Sequence, residues 1–201
     1  MKKILSLILV LLFVISLCAC GTNSDPSSSN QEYSKMMETY EHSQSLIVSF
    51  SYTGTTTNIA QFISNITKAD TTKITPSQPY EDKDVETGNE NSRSYKESQD
   101  ISTRPPIENE ILDFNQYTTI FIGYPIWHGK APKVIFSFLD KFDCTNKLII
   151  PFCTSAETGI EESVEELRAT YPNLNIADGK RFTKTSTEKE IETWLKENNY
   201  I

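Results

Sequence analysis

The chain has 201 residues and a formal net charge of −8. That length allows one domain with appendages, and the acidity argues against a nucleic-acid partner, which needs clustered Lys and Arg on phosphates. The four cysteines form neither a CxxC pair nor a Cys/His spacing suited to a metal.

Met1-Lys2-Lys3 precedes an unbroken apolar-and-Ser run from Ile4 to Leu17. A short positive head and an apolar stretch of this length form a secretory signal pattern, whereas a comfortable membrane span needs about 20 apolar residues. The run closes on Leu17-Cys18-Ala19-Cys20, which resembles the lipobox of bacterial lipoproteins. That resemblance implies cleavage after residue 19 and a lipid on the Cys20 thiol. An ordinary secretory signal and an uncleaved anchor are the alternatives. Residues 20–45 are rich in Ser, Asn, Gln and Glu. Such a segment buries too little apolar surface to offset its ordering entropy, so a tether is expected. The globular domain is expected at 46–201, lipid-anchored to the membrane and outside the cytoplasm.

Leu46 to Phe50 is a short apolar run that reads as a strand. Ile59, Phe62, Ile63 and Ile66 follow at i, i+3, i+4 and i+7, one face of a helix. A weaker strand is expected near Thr72 to Thr75. Residues 76–112 lack clear periodicity and read as a long connection, functional or unstructured. Tyr117 to Tyr124 is a strong strand candidate, and Val134, Ile135, Phe138, Leu139 and Phe142 form a second helical stripe. Lys147 to Phe152 reads as a strand with Pro151 at its end, because Pro cannot donate to a ladder. Ile160, Val164, Leu167 and Tyr171 mark another helix, and Leu174 to Ile176 a short edge strand. Thr187 and Glu190 form a capping-box pattern that opens a last helix carrying Ile191, Trp194 and Leu195. This alternation predicts an α/β fold with a parallel sheet. Cys144 and Cys153 fit either a disulfide outside the cytoplasm or two buried thiols.

Ligands in such folds bind beyond the carboxyl ends of the strands. The loops after Phe50, Tyr124 and Phe152 are therefore the ones to read. Ser51-Tyr52-Thr53-Gly54-Thr55-Thr56 leads into a helix, whose N-terminus presents unpaired N–H groups and a positive dipole end. Hydroxyls add donors, and Gly54 permits close backbone approach to an anion. No Lys or Arg occurs between Ser51 and Lys68, which argues against a Walker loop. A cradle of neutral donors suits one terminal phosphate. A Ser/Thr-rich turn with an ordinary N-cap has the same composition. The segment is similar to the flavodoxin phosphate signature Ser/Thr-x-Thr-Gly-x-Thr, which wraps the phosphate of FMN.

The second loop contains Pro125-Ile126-Trp127-His128-Gly129. Its indole offers a flat apolar surface for stacking on a ring or for covering the next helix. It resembles the Gly-Tyr-Pro-x-Trp-Trp-Gly pattern of a flavodoxin subfamily, with His128 where a second Trp is common. His128 then donates to the flavin, titrates near neutral pH, or faces solvent. The third loop, Pro151 to Gly159, resembles that subfamily's Pro-Phe-x-Thr-x-x-x-x-Gly, whose main-chain N–H groups meet the polar edge of the flavin. On that resemblance Thr154, Ser155, Ala156, Glu157 and Gly159 join the site. A carboxylate at Glu157 disfavours an anionic reduced flavin, unless it points into water.

The resemblance covers roughly Leu46 to Leu195. It implies a flavodoxin-like doubly wound five-stranded parallel sheet in the order 2-1-3-4-5, in a three-layer α/β/α arrangement. It implies FMN as cofactor and electron transfer as function, with a redox protein at the membrane as partner. Pro79-Tyr80, Asn91-Ser92-Arg93 and Arg104-Pro105-Pro106 resemble the same subfamily, in which a long connection packs near the flavin. Arg93 is expected to anchor it by a charge-assisted bond. A Ser/His/Asp set and a positioned acid–base pair are lacking, which favours a carrier over an elaborate enzyme. The alternatives are a module of the same shape without FMN and an FMN-dependent quinone reductase. Glu157, Glu161, Glu162, Glu165 and Glu166 form either a rim that steers a basic partner or a solvated helix start.

Overall fold

The computed structural model describes residues 44–201. The expected signal peptide 1–19, Cys20 and nearly all of the 20–45 tether lie outside the described residues. Strands are β1 (Ser45–Ser49), β2 (Asp70–Lys73), β3 (Thr119–Pro125), β4 (Leu148–Thr154), β5 (Asn175–Ile176) and β6 (Lys180–Phe182). Helices are α1 (Thr55–Thr67), α2 (Arg93–Gln99), α3 (Lys133–Lys141), α4 (Glu161–Thr170) and α5 (Glu188–Glu197).

The sheet is parallel, in the order β2-β1-β3-β4-β5. Alternate residues along a strand point to opposite faces. Ile47, Phe121, Ile150 and Phe152 pack with Ile59 and Ile63 of α1 and with Ile191, Trp194 and Leu195 of α5. Their neighbours Leu46, Val48, Ile120, Ile122 and Ile149 pack with Val134 and Phe138 of α3 and with Val164 and Leu167 of α4. Both faces are covered, so the inner strands are apolar without alternation. The chain after β1 enters a helix on one face and the chain after β3 a helix on the other. That divergence opens a crevice at the carboxyl edge between them.

Two departures from the sequence reading have clear causes. Pro151 lies inside β4 and not at its end. β5 pairs with Leu148 and Ile149, and β6 with Phe152 to Thr154. The outer edge of β4 is thus interrupted at Ile150-Pro151. The Ile149 carbonyl accepts from Ala177 N–H at 2.8 Å on that edge. Pro151, two residues on, faces the same edge, where the missing N–H has no strand partner to serve. The fifth sheet position is therefore shared by two short strands, of which only β5 was anticipated.

The segment 76–112 is ordered. Pro76 and Ile107 form an antiparallel bridge, with Ser77 N–H donating to Pro106 O and Glu108 N–H to Thr75 O. The buried Asn109 amide donates to Lys73 O at 2.6 Å and accepts from Thr75 N–H at 2.8 Å. Inside the excursion, Ser92 caps α2 by accepting from Tyr95 N–H. Seven residues make too short a helix to print a hydrophobic period.

Cys144 and Cys153 are buried free thiols. Burial pushes each up to about 12. Glu166 departs from the expected acidic rim. It accepts from the buried Lys133 ammonium at 2.8 Å, joining α3 to α4.

Gly123 of β3 faces the Phe152 ring across the β3–β4 pair. A methyl group there meets that ring at 2.1 Å. Overpacking of this kind costs about 1–3 kcal/mol. Gly123→Ala is expected at the upper end of that range, read as a lower urea midpoint with unchanged slope.

Candidate functional site

The carboxyl ends of β1, β3, β4 and β6 meet at one edge of the parallel sheet. After β1, Phe50 N–H still donates to Gly123 O at 2.9 Å, and the chain then turns through Ser51–Gly54. Gly54 is the N-cap of α1 with φ +89°, a conformation that costs other residues more. It brings no capping side chain, and among the described residues nothing beyond its chain neighbours stands within 4 Å of where its Cβ would be. The start of α1 is thus left open on that side. Ser51 Oγ accepts from Thr56 N–H at 3.2 Å. Thr53 and Thr55 hydroxyls lie 3.3 Å apart. The buried Thr56 hydroxyl is bonded to that of Thr154 at 2.8 Å, which ties the first loop to the end of β4.

Thr53 and Thr55, Pro125 at the end of β3, and Thr154, Ser155 and Ala156 at the end of β4 line one cleft of about 490 Å³. That size is ordinary for a small-molecule site. The facing wall is Thr183, Lys184 and Thr185, which follow β6. Ser155 N–H donates to Phe182 O at 3.1 Å. Arg181 donates to the carbonyls of Ser155 (3.2 Å) and Ala156 (3.1 Å). This wall was not found by reading the sequence. Its signal was the hydroxyl-rich run Thr183-Lys184-Thr185-Ser186, hidden because β6 was not recognised. The cleft therefore has a cation on its wall, contrary to the neutral-donor cradle inferred from the first loop alone.

The second loop is a tight turn. Trp127 N–H donates to Lys130 O at 3.0 Å and Lys130 N–H to Trp127 O at 2.9 Å. His128 and Gly129 between them have φ of +52° and +80°, as a two-residue turn of the I′ kind requires. Trp127 meets Phe50 (5.3 Å between rings) and Tyr80 (5.0 Å) edge to face. The Arg93 guanidinium lies 4.1 Å from the centre of the Tyr80 ring. Arg93 also donates to Glu97 at 2.6 Å and to Gln78 O at 2.9 Å. The second Glu97 oxygen accepts from Tyr80 OH at 2.6 Å. Burial and this carboxylate push the Tyr80 phenol far up. Arg93 thus makes the expected charge-assisted bond, and its partners Gln78, Tyr80 and Glu97 all lie within the long connection. His128 Nε2 stands 3.0 Å from Ser94 Oγ, with the Tyr95 ring edge-on at 5.3 Å. Lys130 Nζ reaches Ser98 O at 3.4 Å. Helix α2 therefore grips the turn from His128 to Lys130.

The residues singled out in the sequence fall into three groups. Thr53, Thr55, Pro125, Thr154, Ser155 and Ala156 share the cleft, with Gly54 at the open start of α1 and Ser51 and Thr56 bracing it. Ile126, Trp127, His128 and Gly129 form the neighbouring turn, and Tyr52 bonds through its hydroxyl to Asp82 in the long connection. Glu157 is exposed, and neither it nor Gly159 lines the cleft.

A doubly wound parallel sheet with a hydroxyl-lined cleft at its first strand–helix junction is the architecture of flavodoxin-like proteins. Residues 44–198 match the flavodoxin family model, and the chain belongs to that family. A protein from Bacteroides eggerthii assigned as a flavoprotein is 35% identical, with TM-score 0.71, covering 77% of this chain and 96% of its own. A second such assignment, from Bacteroides uniformis, is 30% identical with TM-score 0.73, covering 77% and 98%. A Lactobacillus acidophilus flavoprotein, solved in complex with FMN, shares the fold at 23% identity and TM-score 0.59, covering 76% and 98%. No curated protein matches.

Burial holds the His128 imidazole below its ordinary value of 6.5. The unfolded chain then takes up the proton more readily than the folded one. Stability from the neutral ring is present above about pH 6.5 and is lost as pH falls through the lowered folded value. Wild type is expected to lose melting temperature relative to His128→Gln between about pH 7.5 and pH 5.5. A difference that does not vary with pH counts against desolvation of the half-buried ring.

Proposed function

We propose that this flavodoxin binds FMN and carries electrons outside the cytoplasm, held to the membrane by a lipid on Cys20. The observation that carries the reading is the cleft at the switch between β1 and β3. Its Thr53 and Thr55 hydroxyls stand beside an open helix N-terminus, a ready-made seat for a terminal phosphate. Ser155 and Ala156 line the same cleft, in the loop that the family resemblance puts against the polar edge of the ring. The family match supports the cofactor, and the Lactobacillus acidophilus neighbour is itself a complex with FMN.

FMN supplies the redox chemistry, and the protein supplies binding, orientation and electrostatics. The chain's residues hold the phosphate and fix the ring edge, beside a turn whose Trp127 is packed against Phe50 and Tyr80. NAD(P)H is scarce outside the cytoplasm, so the electron source is a redox protein at the membrane. Glu157, Glu161, Glu162 and Glu165 are exposed, and their charge steers a basic partner toward this end of the molecule.

The purified full chain is expected to be yellow, or to become so on adding FMN. Thr53→Leu with Thr55→Val removes two hydroxyl donors at about 1 kcal/mol each and is expected to weaken FMN binding at least tenfold, read by fluorescence quenching. A chain that stays colourless with FMN is an interaction module of flavodoxin shape. A yellow chain that rapidly oxidises NADPH unaided is a reductase and not a carrier.

A further inference from the structure

We propose that Lys184 is a phosphate-binding and specificity-determining residue of the flavin cleft, so that this site selects the phosphorylated cofactor by charge as well as by hydroxyls. The inference rests on the FMN reading and deepens it.

Three observations carry it. First, Lys184 lines the cleft together with Thr53 and Thr55, the hydroxyls of the cradle. Second, it is unspent. Among the described residues it forms no ion pair, whereas its neighbours are occupied or turned elsewhere. Arg181 is bonded to the Ser155 and Ala156 carbonyls. Lys180 lines a separate cavity with Glu190 and Glu197. Third, the turn that bears it is braced. Thr183 N–H donates to Ser186 Oγ at 3.1 Å and Ser186 N–H to Thr183 O at 3.2 Å. Thr185 N–H donates to Thr183 Oγ1 at 3.3 Å. The turn is fixed on one side by the Thr154–Phe182 pairing of β4 and β6. On the other side the Thr187–Glu190 capping box starts α5.

A lysine ammonium is a compact point charge on a flexible stem. From this turn it approaches a phosphate held at the α1 N-terminus without displacing any hydroxyl already there. The N–H groups of Thr183, Thr185 and Ser186 are bonded within the turn, which leaves the Lys184 ammonium to meet a ligand. Such a contact is partly screened because Lys184 is exposed. Its effect is therefore one of salt-dependent selectivity and not of all-or-none binding.

The test compares FMN and riboflavin, which differ only in the phosphate, on the detergent-solubilised full chain. Dissociation constants are measured at low and at about 1 M salt, where the screening length is about 3 Å. Lys184→Met is expected to weaken FMN about five- to tenfold at low salt, to leave riboflavin unchanged, and to match wild type at high salt. Lys184→Arg is expected to keep most of the FMN affinity. Equal weakening of both flavins, or no change in either, overturns the role of Lys184 while the FMN reading stands. A wild-type chain that binds neither flavin overturns both.

Discussion

The site depends on one buried contact, the hydroxyl pair of Thr56 and Thr154. These residues are 98 positions apart in the chain and 2.8 Å apart in the fold. A neutral hydrogen bond contributes only about 1 kcal/mol net, so its importance is geometric. Thr56 is in the first turn of α1 and Thr154 is the last residue of β4. Their bond sets the helix N-terminus against the third loop, and the cleft is the gap that results. Three strands must be in register for this to happen. Ile47 pairs with Phe121 and Phe121 with Ile150, and a slip of one residue anywhere in that row reverses which face each side chain presents. The apolar rows on both faces therefore hold the register, and the register holds the hydroxyls.

The long connection does a second job. It leaves the sheet at Thr75 and returns at Glu108, so its ends are fixed by two main-chain bonds and by Asn109. What it carries between those ends is a chain of contacts from charge to aromatic wall. Glu97 holds Arg93 and Tyr80 OH, Arg93 lies over Tyr80, and Tyr80 meets Trp127. Each member restrains the next, so the indole is held by an ion pair it does not touch. His128 is drawn into the same connection by Ser94. The turn beside the cleft is thus positioned by a segment that contributes no residue to the cleft walls.

Much of this was legible in the sequence. The inner strands β1, β3 and β4 are marked by apolar runs and the four longer helices by 3.6-residue spacing, because each is covered on one side or both. The first loop was readable since its donors are contiguous. What escaped was structure whose cause lies elsewhere in the chain. β6 has three residues, Lys180 to Phe182, and exists because β4 offers it an edge. Pro151 reads as a strand end until the break between β5 and β6 shows why its missing N–H is harmless. Helix α2 depends on a cap and on tertiary contacts to Tyr80 and His128, and neither leaves a period. Glu166 looks like one more surface acid in a row of five, and only the fold reveals Lys133 behind it.

A net charge of −8 taken alone predicts a surface hostile to a phosphate. Attraction between unit charges 4 Å apart is about 4 kcal/mol at an effective dielectric of 20, while exposed charges beyond about 10 Å are largely screened at ordinary salt. What matters at the cleft is therefore the handful of charges on its walls. Glu157 is exposed and off those walls, and Glu166 is neutralised internally by Lys133. The β6 segment supplies Arg181 and Lys184 at the same end. The exposed acids Glu157, Glu161, Glu162 and Glu165 thus stand off the cleft walls. Lys184 is on the cleft wall itself, and Arg181 holds the carbonyls of Ser155 and Ala156 beside it.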